Sequence, residues 1–157
     1  MQTKGKSCRE EALCRLEYGD RTEKEMVRRL TQKGYDEREI AETMAFLVEL
    51  QFIDDRRYSM KFVETAMEKG RGPQRIRYEL KEKGVSSALI EEAMEALYDR
   101  DAEKEMALQA AEKALRTMGI EAPAERLSER DKAKIARRLA SAGFSASATY
   151  GAISRLK

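Results

Sequence analysis

The densest set of chemically able side chains lies between Lys69 and Lys83. There Lys69, Arg71, Arg75, Arg77, Lys81 and Lys83 stand against only Glu79 and Glu82, in a chain whose net charge is +2. Cations gathered this way suit an anionic partner, a phosphate backbone or an acidic protein surface. Inside the set, Gly70-Arg71-Gly72-Pro73 reads as the start of a helix, with Pro at the first position, where its missing N–H costs nothing. Free amides there could accept an anion, helped by Arg71 and Arg75. No strand precedes the segment and no Gly-Lys-Ser/Thr follows it, so it does not match a nucleotide-binding loop. A plain turn between two helices is the competing reading.

Asp54-Asp55 is the other candidate for chemistry, as an acid pair or a metal ligand. Adjacent residues at a helix start point in different directions, and no further carboxylate joins them in sequence. Helix capping accounts for both. The chain contains no His, and Cys8 and Cys14 do not have zinc-ligand spacing. The expectation is a protein that is not an enzyme and has no cofactor and no metal. The two thiols are expected to be reduced and incidental.

Cationic pairs recur outside the central block. Arg28-Arg29 and Arg137-Arg138 flank apolar anchors just as Arg75 and Arg77 flank Ile76. Corresponding cations in stacked units would form a stripe. The candidate binding residues are therefore Arg28, Arg29, Arg57, Arg71, Arg75, Arg77, Lys81, Lys83, Arg137 and Arg138. Tyr58, Phe62 and Tyr78 have the chemistry to stack on bases, but at helical spacing they are expected in the core or between units.

These residues sit on a repeat. Met26, Leu30, Gly34, Tyr35, Ile40, Met44 and Leu47 recur 50 positions later as Ile76, Leu80, Gly84, Val85, Ile90, Met94 and Leu97. They recur again 59 positions further on as Ile135, Leu139, Gly143, Phe144, Thr149, Ile153 and Leu156, with only Thr149 breaking the apolar pattern. Each copy reads as a helix stopped by Gly, an apolar residue, and a capping residue (Asp36, Ser86 or Ser145) that opens a second helix. Thr22 with Glu25 matches a capping box. The third copy opens at Ser128 or at Asp131. A further helix precedes each pair, at roughly 7–18, 55–69 and 99–118. Pro123 explains the longer spacing before the third copy.

The fold expected is all-α, with nine helices in three tandem three-helix units, forming an elongated array whose curvature the sequence leaves open. Residues 1–11 form an N-terminal extension, followed by units at 12–53, 54–98 and 99–157. Charge is uneven along the array. Residues 91–112 carry eight acids against Arg100 and Lys104, whereas 106–157 carry ten bases against five acids.

Phe52-Ile53-Asp54-Asp55-x-Arg57-Tyr58, Lys69-Gly70-x-Gly72-Pro73-x-Arg75-Ile76 and Glu79-Leu80-x-x-Lys83-Gly84-Val85 resemble the signature of RecX, the bacterial RecA regulator. The triplicated layout is similar too, and the resemblance covers 12–157. It implies a modulator of homologous recombination that binds RecA filaments on single-stranded DNA. Such a protein would lie in the filament groove and lower the ATPase and strand-exchange activity of RecA. Non-specific contact with duplex DNA and a monomeric state go with that reading. Two alternatives remain, a helix-turn-helix regulator of duplex DNA and a helical-repeat scaffold for protein partners. No signal-peptide pattern and no bilayer-length apolar run is present, so a cytoplasmic location is expected.

Overall fold

Every helix but α5 opens on a residue whose side chain accepts from one of its first amides. In the computed structural model, which describes residues 5–120 and 126–156, the first unit contains α1 (Cys8–Leu16), α2 (Glu23–Gln32) and α3 (Glu37–Glu49). Their caps are Ser7, Thr22 and Asp36, and Thr22 with Glu25 closes a full capping box. The second contains α4 (Asp55–Glu68), α5 (Pro73–Glu82) and α6 (Ser87–Leu97), opened by Asp54, Gly72 and Ser86. The third contains α7 (Arg100–Met118), α8 (Glu129–Ala142) and α9 (Ala146–Ser154), opened by Asp99, Ser128 and Ser145. Ser128 is thus the start that the sequence left undecided, and its hydroxyl accepts from the Asp131 amide. Pro123 lies outside the described residues, as do 1–4 of the N-terminal extension. Among the described residues there are nine helices and no strand, an all-α architecture.

Helix-to-helix packing falls into the triplets α1–α3, α4–α6 and α7–α9. The apolar anchors of the repeat face inward in each: Met26, Leu30 and Leu47, then Ile76, Leu80 and Met94, then Ile135 and Leu139 are all essentially buried. The core is nevertheless in two pieces rather than three. Cys8, Ala12, Met26, Leu30, Tyr35, Ile40, Leu47 and Ile53 form one cluster in the first unit. A single larger cluster runs from Val63 through Phe144 to Leu156, joining the second and third units. The accessible surface of 10101 Å² is about a quarter larger than expected for a compact monomer of 18.0 kDa. An open array of stacked units accounts for the excess.

Thr149 occupies the apolar position of the third repeat and is buried there, with its hydroxyl making no hydrogen bond. An unbonded buried hydroxyl costs about 1–3 kcal/mol. Thr149→Val, which keeps the shape, is expected to raise the thermal unfolding midpoint by roughly 2–4 °C. A lowered midpoint would mean the hydroxyl has a structural role.

Candidate nucleic-acid and protein interface

The middle helices of the three units meet end to end. At one junction the C-terminus of α8 abuts the N-terminus of α5. The Gly72 amide donates to the Ala142 carbonyl at 2.7 Å and the Gln74 amide to the Gly143 carbonyl at 3.0 Å. Orphan donors at one helix start thereby satisfy orphan acceptors at the other's end. At the next junction the C-terminus of α5 abuts the N-terminus of α2. The Thr22 hydroxyl donates to the Lys83 carbonyl at 2.6 Å, while the same oxygen accepts from the Glu25 amide at 3.1 Å. Asp55, from the start of α4, accepts from the Glu23 amide at 3.0 Å. Burial pushes the Asp55 carboxyl above the usual carboxylate range despite that bond, with nearby Asp54 and Glu25 adding to the rise. Lys83–Glu25 at 3.7 Å and Lys61–Asp20 at 3.6 Å complete a mainly polar joint.

Two glycines make the approach between α8 and α5 possible. Gly143 ends α8 at φ +100°, and a Cβ there would meet Arg75. Gly72 has an ordinary φ of −79°, but a Cβ on it would lie 2.3 Å from the Gly143 carbonyl carbon and 2.5 Å from the Phe144 nitrogen. Gly84 repeats the role of Gly143 one unit along, packed against the Lys24 side chain.

This arrangement favours one of the two readings of the Gly70–Pro73 segment, the plain turn. The start of α5 is not open to an anion, because the Gly72 and Gln74 amides are bonded to the end of α8. A helix C-terminus carries the partial negative charge that such a site would otherwise draw from a ligand. Tyr98 reinforces the turn, donating from its hydroxyl to the Arg71 carbonyl at 2.9 Å.

The candidate cations divide into paired and unpaired sets. Arg71 and Arg75 converge on Glu79, at 2.9 Å and 2.8 Å. Arg77 pairs with Glu91 at 2.8 Å, and Lys83 with Glu25. Arg57 donates to the Gln51 carbonyl at 3.0 Å. Four of the six cations of the central block are therefore paired within the protein, two of them sharing one carboxylate. Arg28, Arg29, Lys81, Arg137 and Arg138 have no ion pair among the described residues, and all but half-buried Arg29 are exposed. Arg28 and Arg29 line a hollow of about 190 Å³ together with Arg15 and Arg21, two residues the sequence reading did not single out. Arg138 lies on a second hollow of about 400 Å³ with Lys69, Lys113 and Arg116.

The aromatic residues also divide. Tyr58 and Phe62 are half-buried and stacked, with ring centroids 6.1 Å apart, and burial pushes the Tyr58 hydroxyl up to about 12. Tyr78 does not pack between units and is 64% exposed. It lies two positions from both Ile76 and Leu80, which turns it to the opposite side of α5.

Among the described residues no group of His, Cys, Asp and Glu is placed to hold a metal. No described helix is long and apolar enough to cross a membrane.

Comparison with known proteins agrees with this architecture. The first three-helix domain of RecX matches residues 8–47, and the second matches residues 54–94. A regulatory protein RecX of Halorhodospira halophila is 32% identical over 138 residues, covering 88% of this chain and 81% of that protein. This chain belongs to the RecX family. Among other RecX proteins, that of Clostridium botulinum strain Eklund 17B is 40% identical over 132 residues, which cover 84% of this chain. The match spans only 58% of the clostridial protein's length. The crystal structure of RecX from Lactobacillus salivarius superposes with a TM-score of 0.82 at 29% identity, covering 95% of this chain and 94% of that one.

Proposed function

We propose that this RecX-family chain regulates RecA by binding its filaments on single-stranded DNA, lowering ATPase and strand-exchange activity without itself being a catalyst. The observation that carries the reading is the end-to-end line of α8, α5 and α2, combined with the family to which the chain belongs. A filament presents the same groove over many protomers, and a line of helices with cations at corresponding places suits an extended, repeating, partly anionic surface. Arg28, Lys81, Arg137 and Arg138 are among the exposed cations on that line that make no ion pair among the described residues.

The test is the single-strand-dependent ATPase of RecA, measured with increasing amounts of this protein. Suppression at well below one molecule per RecA is expected, because capping or bridging a filament acts on many protomers at once. Unchanged ATPase, together with no sedimentation of the protein with filaments at low salt, would refute the reading. Protection of a discrete duplex site in footprinting would favour a helix-turn-helix regulator instead.

A further inference from the structure

The hollow between α1 and α2 has a composition that the protein's internal contacts do not explain. Four arginines line it: Arg15 from the last turn of α1, Arg21 from the connection, and Arg28 and Arg29 from α2. The Nε of Arg29 is buried and has no hydrogen-bond partner. Glu25 is the one carboxylate among the lining residues, and both its oxygens are engaged elsewhere. One accepts from the Thr22 amide at 3.1 Å, and the other faces Lys83 at 3.7 Å. Arg21 makes one local bond, to the Asp20 carbonyl at 2.8 Å.

Like charges held together repel, and a buried donor without an acceptor costs free energy. A bound oxyanion offsets the repulsion and brings an acceptor to the Arg29 side chain. Guanidinium groups suit one especially, since each offers two parallel N–H donors to adjacent oxygens of a phosphate. Lysines would bring charge without that geometry. The volume of about 190 Å³ admits a tetrahedral oxyanion with some water, and most of the lining comes from α2, at one end of the line of middle helices.

We propose that this hollow seats a phosphodiester of the single strand, with Arg29 as the inner donor and Arg15, Arg21 and Arg28 closing around it. The inference rests on the proposed binding to filaments and adds to it a site outside the central signature. It assigns the first unit a direct contact with the strand, whereas the paired cations of the second unit hold the fold.

The test uses the full chain and a fluorescein-labelled oligothymidylate, titrated over a range of salt concentrations. Arg28→Gln, an exposed change, and Arg29→Gln are each compared with wild type, with helicity checked by circular dichroism. Affinity is expected to fall about tenfold at low salt, and the slope of log K against log salt to become shallower by about 0.7 for the lost phosphate contact. Inorganic phosphate is tested alongside by its protection against thermal unfolding. If Arg28→Gln abolishes that protection but leaves the strand slope unchanged, the hollow serves a free oxyanion and the proposal fails. If neither variant changes the slope while wild type binds the strand and suppresses RecA ATPase, the seat is refuted and the regulatory function stands. If wild type neither binds the strand nor suppresses the ATPase, both fall together.

Discussion

Replacing Gly72 by alanine is expected to destabilise the protein by about 2–3 kcal/mol, more than any exposed substitution. At this chain length that lowers the unfolding midpoint by roughly 5–10 °C. The backbone conformation is not the cause, because φ at Gly72 is −79° and alanine adopts it freely. The cause is contact. The added methyl would sit 2.3 to 2.5 Å from three backbone atoms of Gly143 and Phe144, and backbone cannot rotate aside as a side chain can. Relief requires α8 to withdraw from α5, which lengthens the Gly72–Ala142 and Gln74–Gly143 hydrogen bonds and opens the core shared by the second and third units. Two controls separate this from a general effect of losing glycine. Gly70→Ala meets no atom within 4 Å but has φ +78°, so it should cost about 1–2 kcal/mol from left-handed strain alone. Gly151→Ala, also without a neighbour within 4 Å and inside α9, should stabilise by about 0.5–1 kcal/mol. Thermal unfolding of the three variants decides the point. A midpoint for Gly72→Ala no lower than that of Gly70→Ala would show that the junction gives way easily.

That junction also marks where sequence reading stops. Helix starts and stops were legible because their causes are local: Thr22 and Glu25 close a box within four residues, and Gly34, Gly84 and Gly143 supply a positive φ where a helix must end. The inward positions were legible because Met26, Leu30, Ile76 and Leu80 repeat at helical spacing. Ser128 and Asp131 could not be separated, since both residue types cap helices and the choice depends on which one accepts the other's amide. The reason for Gly72 was out of reach, because it lies 71 positions away at Gly143. Read locally, the segment fits an anion seat or a plain turn; in three dimensions its amides meet the end of another helix. The same limit applies to charge. Glu79 lies four residues after Arg75, a spacing at which helix side chains meet, but Glu91 and Glu25 reach Arg77 and Lys83 from other helices. Arg15 and Arg21 are isolated in sequence and join Arg28 and Arg29 only when α1 packs beside α2. Density of charge along the chain therefore does not tell which cations are met within the protein.

From that division comes the second large effect, on binding rather than stability. Arg137→Glu/Arg138→Glu is expected to raise the amount of protein needed for half-maximal suppression of RecA ATPase by about tenfold or more, a loss of roughly 1.4 kcal/mol or more. Both residues are exposed and make no ion pair among the described residues, so their charges are available to a partner and their reversal leaves the fold intact. Arg77→Glu should change the same measurement by less than about threefold, since the charge of Arg77 is already met by Glu91 at 2.8 Å, with both side chains partly exposed. Arg71 is a poor probe of binding. Its pair with Glu79 is about three-quarters buried, so reversal there would place a like charge against Glu79 and disturb the turn that Tyr98 holds. The comparison at low and high salt is informative as well: the gap between wild type and Arg137→Glu/Arg138→Glu should narrow as salt screens the contact. Equal losses for Arg77→Glu and for the double reversal would mean that the partner breaks the Arg77–Glu91 pair on binding. In that case the central block, and not the two flanking units, would be the surface that recognises the filament.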